Sequence, residues 1–185
     1  MQIKHAVIFC GMPGSGKSIG TTVAQELKIP VFIMGDVVRK EVTRRQLPHT
    51  PQSLGSVMLD LREQFGDAVI AERCIDEIRK VSSSHIVIDG ARSEPEIQAF
   101  QQAFDYVTVV AVHASPQIRF KRLQQRSRAD DAFTKEIFLE RDARELDIGL
   151  GRIIAQADIM LVNEENIEGL INRVRKILKD LFNLD

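Results

Sequence analysis

Eight consecutive residues, Gly11-Met12-Pro13-Gly14-Ser15-Gly16-Lys17-Ser18, satisfy the pattern G-x-x-x-x-G-K-[ST] of a phosphate-binding (Walker A) loop. Glycine tolerates positive φ and carries no Cβ. Gly11, Gly14 and Gly16 therefore let successive N–H groups turn inward and line an anion site at the start of a helix. Lys17 supplies a mobile point charge for the β- and γ-phosphates of a nucleotide, and Ser18 a hydroxyl for Mg²⁺.

Two carboxylates and several guanidinium groups sit where they could serve the same chemistry. Asp89 ends the apolar run Ile86-Val87-Ile88, the type of residue that holds Mg²⁺ or its waters beside a phosphate loop, and Arg92 follows three residues on. Asp36 and Arg39 come directly after Val31-Phe32-Ile33-Met34, at the end of a strand where an open parallel sheet meets its ligand. Arg119, Arg122 and Arg126 are spaced i, i+3 and i+7, so they share one helical face, which could bind phosphate or be plain solvated surface.

The elements that must position these groups are legible as well. Ala6-Val7-Ile8-Phe9-Cys10 reads as a buried strand before the loop, and Ile19, Val23, Ala24 and Leu27 recur at helical spacing after it. Residues 31–34, 85–90, 106–113 and 158–163 give four more apolar strands. Between the second and third strands the pattern is helical throughout: Asp36 to about Gln46, then Leu54, Val57, Met58, Leu61 and Phe65 on one face, then Ala68, Ala71, Ile75 and Ile78. Residues 127–151 are charged and poor in large apolar side chains, the composition of a mobile lid. Ile167, Leu170, Ile171, Val174, Leu178, Leu181 and Phe182 form the apolar face of a last helix.

Strands alternating with helices imply an α/β fold, a five-stranded parallel sheet covered on both faces in three layers. We expect one domain over 1–185, with a core of 1–35, 82–126 and 152–185, an acceptor-binding helical subdomain at 36–81 and a lid at 127–151. The composition, 44% hydrophobic and 28% charged, is that of an ordinary globule. A net charge of −1 argues against extensive contact with nucleic acid or an anionic membrane, so phosphate affinity must be local. Cys10 and Cys74 form no metal-binding or disulfide pattern, and no run approaches the roughly 18 apolar residues of a membrane span. A cytoplasmic protein is expected.

The chain resembles the adenylate kinase-like P-loop kinases over nearly its full length. Gly35-Asp36-Val37-Val38-Arg39 looks like their acceptor-phosphate segment, and Asp89-Gly90-Ala91-Arg92 like the Asp-Gly-x-x-Arg ending their third strand, one residue shorter. Arg126-Ser127-Arg128-Ala129-Asp130-Asp131 is similar to the lid of UMP/CMP kinases, whereas Ala157-Asp158-Ile159-Met160-Leu161-Val162-Asn163 looks more like dephospho-CoA kinase. Taken whole, it most resembles an archaeal family of small kinase-like proteins labelled adenylate kinase-related or dephospho-CoA kinase-related. The resemblance implies ATP and Mg²⁺ as cofactors. It further implies that Arg39 and Arg92 grip the acceptor's phosphate, that Arg122 lies against the adenine, and that Arg126, Arg128 and Arg141 close over the transferring group. Arg141 has an alternative as a surface ion pair with Glu145 at i+4.

Together these readings predict an ATP-dependent phosphotransferase acting on a small phosphorylated, nucleotide-like acceptor, with a nucleoside monophosphate as the first expectation. A hydroxyl acceptor of the dephospho-CoA type is the alternative, and it would need a general base, for which Asp36 is the candidate. A third reading is an ATP-dependent binding module that presents residues 36–81 to a protein or RNA partner. The chain lacks the Asn-Lys-x-Asp and Asp-x-x-Gly motifs of regulatory GTPases and the Leu-Ser-Gly-Gly of ABC-type ATPases.

Overall fold

The structure, a computed structural model, describes residues 5–126, 134–164 and 166–184. Its sheet is built from β1 (His5–Cys10), β2 (Val31–Ile33), β3 (His85–Asp89), β4 (Tyr106–His113) and β5 (Ile159–Val162), in the order β2-β3-β1-β4-β5. Every neighbouring pair is parallel. The strand that feeds the phosphate loop is thus the central one, flanked by β3 and β4.

Alternation along β1 explains the three layers. Ala6, Ile8 and Cys10 join one core and Val7 and Phe9 the other, all with no exposed surface. A strand buried on both faces must be covered on both faces. On one side lie α1 (Ser18–Glu26) and α9 (Ile167–Phe182), the latter burying Leu170, Val174, Leu178 and Phe182 at successive turns. On the other lie α2 (Met34–Arg44), α3 (Pro51–Phe65), α4 (Val69–Ile78), α5 (Glu94–Ala103) and α8 (Leu150–Ala155). Gly20 sets the spacing of α1 on the sheet, since a Cβ there would fall 2.5 Å from the Phe9 ring.

Local signals start and stop the elements around the site. Thr50 caps α3 by accepting from Ser53 N, with Pro51 in the first turn. Thr134 caps α7 (Lys135–Ile148) in the same way, and α7 stops at Gly149, whose φ of 111° places it in the left-handed region. Between β4 and α7 runs α6 (Pro116–Arg126). One boundary differs from the sequence expectation: β2 ends at Ile33, and Met34, read as its last residue, begins α2. A continuous apolar run has no period with which to separate a strand end from a buried helix start. Asp36 therefore stands in the first turn of α2, where the helix dipole favours a carboxylate.

Candidate active site

The C-terminal ends of the parallel strands converge on the phosphate loop. Gly11, Gly14 and Gly16 have φ of 149°, 82° and 95°, values L side chains rarely adopt. The loop is also packed from behind, so that any other residue would clash as well as be strained: a Cβ on Gly16 would lie 2.2 Å from Asn163 Nδ2, and one on Gly14 2.8 Å from Arg119 O. Ser15 N donates to Met12 O at 3.0 Å, while Asn163, just past β5, donates through Nδ2 to Ser15 O at 2.7 Å. Asn163 is buried and was not picked out from the sequence as a site residue. A single asparagine after a strand carries no spacing signal.

Two of the three arginines on the shared face turn toward this loop. Arg119, 3% exposed, donates to Pro13 O at 3.1 Å and Ala114 O at 3.2 Å, and pairs with Asp142 of α7, Nη1 to Oδ1 at 2.8 Å. Its guanidinium also lies 4.9 Å from the Phe138 ring centre. Arg122, taken by resemblance to lie against adenine, donates to Asn163 O at 3.0 Å and approaches Ser15 O at 3.4 Å. The solvated-surface reading of this face does not hold for these two. Arg128 and the side chain of Arg126 lie outside the described residues.

On the opposite side, Asp89 lies beside Phe9 in the register of β3 against β1, which sets its carboxylate next to the loop. It is 9% exposed, and burial pushes its pKa above the usual carboxylate range despite the opposing charges of Lys17 and Arg92. Burial likewise pulls Lys17 below the lysine range, against the attraction of Asp89. Ser18 is exposed at the start of α1. Arg92 is held from three directions. Its N–H donates to the fully buried Glu96 at 2.7 Å, and Nη1 approaches Met58 Sδ at 3.1 Å and Glu145 Oε1 at 3.3 Å.

Glu145, which the sequence offers only as a surface ion-pair partner for Arg141, is a further residue of the site. It comes from α7, is 3% exposed, and pairs with Arg92 rather than closing an i,i+4 ion pair with Arg141. Lys17, Arg92, Arg141 and Glu145 wall a small, partly open pocket, which Gly11 and Gly90 also line. Arg141 is held below the usual arginine range by burial, with Glu145 opposing that shift. Asp36 and Arg39 stand outside this pocket, both exposed, with Arg39 Nε donating to Asp36 Oδ1 at 2.8 Å.

These residues fit a magnesium-nucleotide. Ser15 Oγ and Asp89 Oδ1 are buried oxygens without a hydrogen-bond partner; the first borders the glycine cradle at Gly11, and the second lies near enough to Lys17 for their charges to interact. Among the described residues there is no cluster of three metal-ligating side chains, so a cation here would rely on Ser18, Asp89 and its own waters and phosphates. None of the described helices is long and apolar enough to cross a membrane.

A five-stranded parallel sheet with this loop on its central strand defines an α/β P-loop NTPase fold. Residues 10–137 match the AAA domain family. The chain belongs to the UPF0200 family: it is 43% identical to the UPF0200 protein of Hyperthermus butylicus, covering 95% of this chain and 94% of that one. It is 41% identical to the UPF0200 protein of Thermococcus sibiricus, covering 95% of each. Among solved structures, TT1252 from Thermus thermophilus is similar with a TM-score of 0.69 at 16% identity, over 98% of this chain and 99% of that one. A shikimate kinase from Bacteroides thetaiotaomicron is similar with a TM-score of 0.55 at 16% identity, over 97% and 98%. At such identities the likeness establishes the fold.

Proposed function

We propose that this protein is an ATP-dependent phosphotransferase that moves the γ-phosphoryl group of Mg-ATP to a small, anionic, nucleotide-like acceptor. The observation that carries the reading is the meeting of Lys17, Arg92 and Arg141 from three separate elements around one pocket at the phosphate loop, with Asp89 beside it. Phosphoryl transfer is chiefly a matter of positioning and of offsetting negative charge shared between donor and acceptor. Three cations around a small pocket provide that.

In this reading the amides of residues 11–18 hold the β- and γ-phosphates, with Lys17 adding charge, while Ser18 and Asp89 hold Mg²⁺. The bound magnesium-nucleotide supplies the transferable group and neutralises part of its charge. Arg141 comes from α7 and lines the pocket with Lys17 and Arg92, adding positive charge toward the transferring group. Arg92, anchored by Glu96, is the fixed arginine for an acceptor's anionic group, and Arg39 with Asp36 marks the outer rim. By the family resemblance, Arg126 and Arg128 are expected to act on the transferring group as well. The family resemblance and the kinase named among the structural neighbours support this reading.

The test is calorimetry of Mg-ATP binding combined with transfer of labelled γ-phosphate to nucleoside monophosphates and to dephospho-CoA. Wild-type protein is expected to bind Mg-ATP and label an acceptor, and Lys17→Ala to lower transfer by about 10²–10³-fold while remaining folded. Properly folded protein with no affinity for Mg-ATP would overturn the reading.

A further inference from the structure

We propose that Glu145 is the catalytic base of this site and that the phosphoryl acceptor presents a hydroxyl, not a phosphate oxygen. The proposal rests on the phosphotransferase reading and narrows its substrate class. Glu145 is 3% exposed and walls the same pocket as Lys17 and Arg92. Its Oε1 is fixed by Arg92 at 3.3 Å, whereas Oε2 is buried and accepts no hydrogen bond. An ionised oxygen left unsatisfied in a desolvated site carries a large penalty, and what removes it is a donor.

The two acceptor classes differ in what they bring to that oxygen. A nucleoside monophosphate attacks through an oxygen already ionised at neutral pH, so it offers no proton and adds negative charge beside a fixed carboxylate. A hydroxyl offers the missing donor, and its proton must leave as the oxygen becomes a nucleophile. The charge of Glu145 is tolerated in the pocket because Lys17, Arg92 and Arg141 surround it. Asp36, the base candidate from the sequence, is instead exposed, paired with Arg39 and outside the pocket.

The step balances as follows. The acceptor O–H proton passes to Glu145 Oε2 while the acceptor oxygen bonds to the γ-phosphorus. The bond from that phosphorus to the β,γ-bridging oxygen breaks, and its electron pair leaves with ADP. Glu145 then returns the proton to solvent.

Water is the simplest hydroxyl probe and needs no knowledge of the natural acceptor. Full-length wild type and Glu145→Gln are compared for Mg-ATP-dependent phosphate release and, by calorimetry, for Mg-ATP affinity. The expected result is release slowed by about 100-fold in the variant with binding as tight as wild type or tighter, since a negative charge has been removed. Partial activity in Glu145→Asp, which keeps the carboxylate, is expected too. Release at the wild-type rate in Glu145→Gln, with tighter binding, would overturn the base role and leave Glu145 as a mere occupant of the phosphate position.

A second arm uses wild type alone and stands even if the variants fail to fold. Phosphorus NMR separates a new phosphate ester from a new anhydride in mixtures with dephospho-CoA and with nucleoside monophosphates. Ester formation supports the proposal, and anhydride formation overturns it while leaving the phosphotransferase reading intact. Absence of Mg-ATP binding by wild type would instead overturn that underlying reading.

Discussion

Arg119 and Asp142 face one another in a two-pronged ion pair, Nη1 to Oδ1 at 2.8 Å and Nη2 to Oδ2 at 2.5 Å, and the same guanidinium donates to Pro13 O in the phosphate loop. The pair therefore ties the helix that carries Arg141 and Glu145 to the backbone that would hold a nucleotide. Removing one member of a buried pair leaves the other desolvated and uncompensated. Asp142→Ala is expected to destabilise the fold by about 3 kcal/mol in urea denaturation. It should also weaken any transfer activity beyond that loss, because α7 would no longer be held against the loop.

The raised pKa of Asp89 has two consequences of opposite practical sign. Its folded-state value lies above its unfolded one, so its contribution to stability is full below the ordinary aspartate range and is lost as pH rises through the folded value. Asp89→Asn should therefore raise the urea midpoint at pH 7. The ionised form is nonetheless the one that attracts a cation. Mg²⁺ dependence of nucleotide affinity is expected to weaken on acidification at a pH above that of an ordinary aspartate, and in Asp89→Asn to be weak at every pH. A pH series of calorimetric titrations with and without Mg²⁺ checks both.

Glu41 governs acid stability on the other side of the sheet. Buried on α2, it accepts from Arg44 at 2.6 Å and Arg45 at 2.8 Å, which hold its pKa at about 2 instead of 4.5. Here the folded value is depressed, so the stabilisation is present above about pH 4.5 and is lost as pH falls toward 2. Glu41→Gln should lower the melting temperature at pH 7 and flatten its decline across that acid window.

Gly20→Ala tests the fit of the first helix on the sheet. The new methyl would lie 2.5 Å from a ring carbon of Phe9, itself without exposed surface and at the centre of the sheet. Overpacking of a core costs about 1–3 kcal/mol. Gly20→Ala combined with Phe9→Leu, which frees that volume, should be less destabilised than the sum of the two single variants, as a double-mutant cycle would measure.

Much of this was available from the chain read linearly, because the relevant physics is local. Strands, helices and the phosphate loop are contiguous, and their apolar periods and glycine positions are set by neighbours within a few residues. Asp36 and Arg39, three apart on one helical turn, also belong to this class. The helical period put Arg119 and Arg122 on one face but did not say what that face meets. Only packing α6 over residues 13–15 turned a possible solvated stripe into a brace for the loop. Glu145 shows the limit most clearly. In sequence it is one acid in a charged stretch, and its distinction comes from Lys17, Arg92 and Leu150 being carried to it by separate elements. Which residues can form a phosphate cradle is decided by local backbone geometry. Which carboxylate and which arginines face that cradle is decided by the crossing of chain segments more than fifty residues apart, where burial and charge first acquire a shared location.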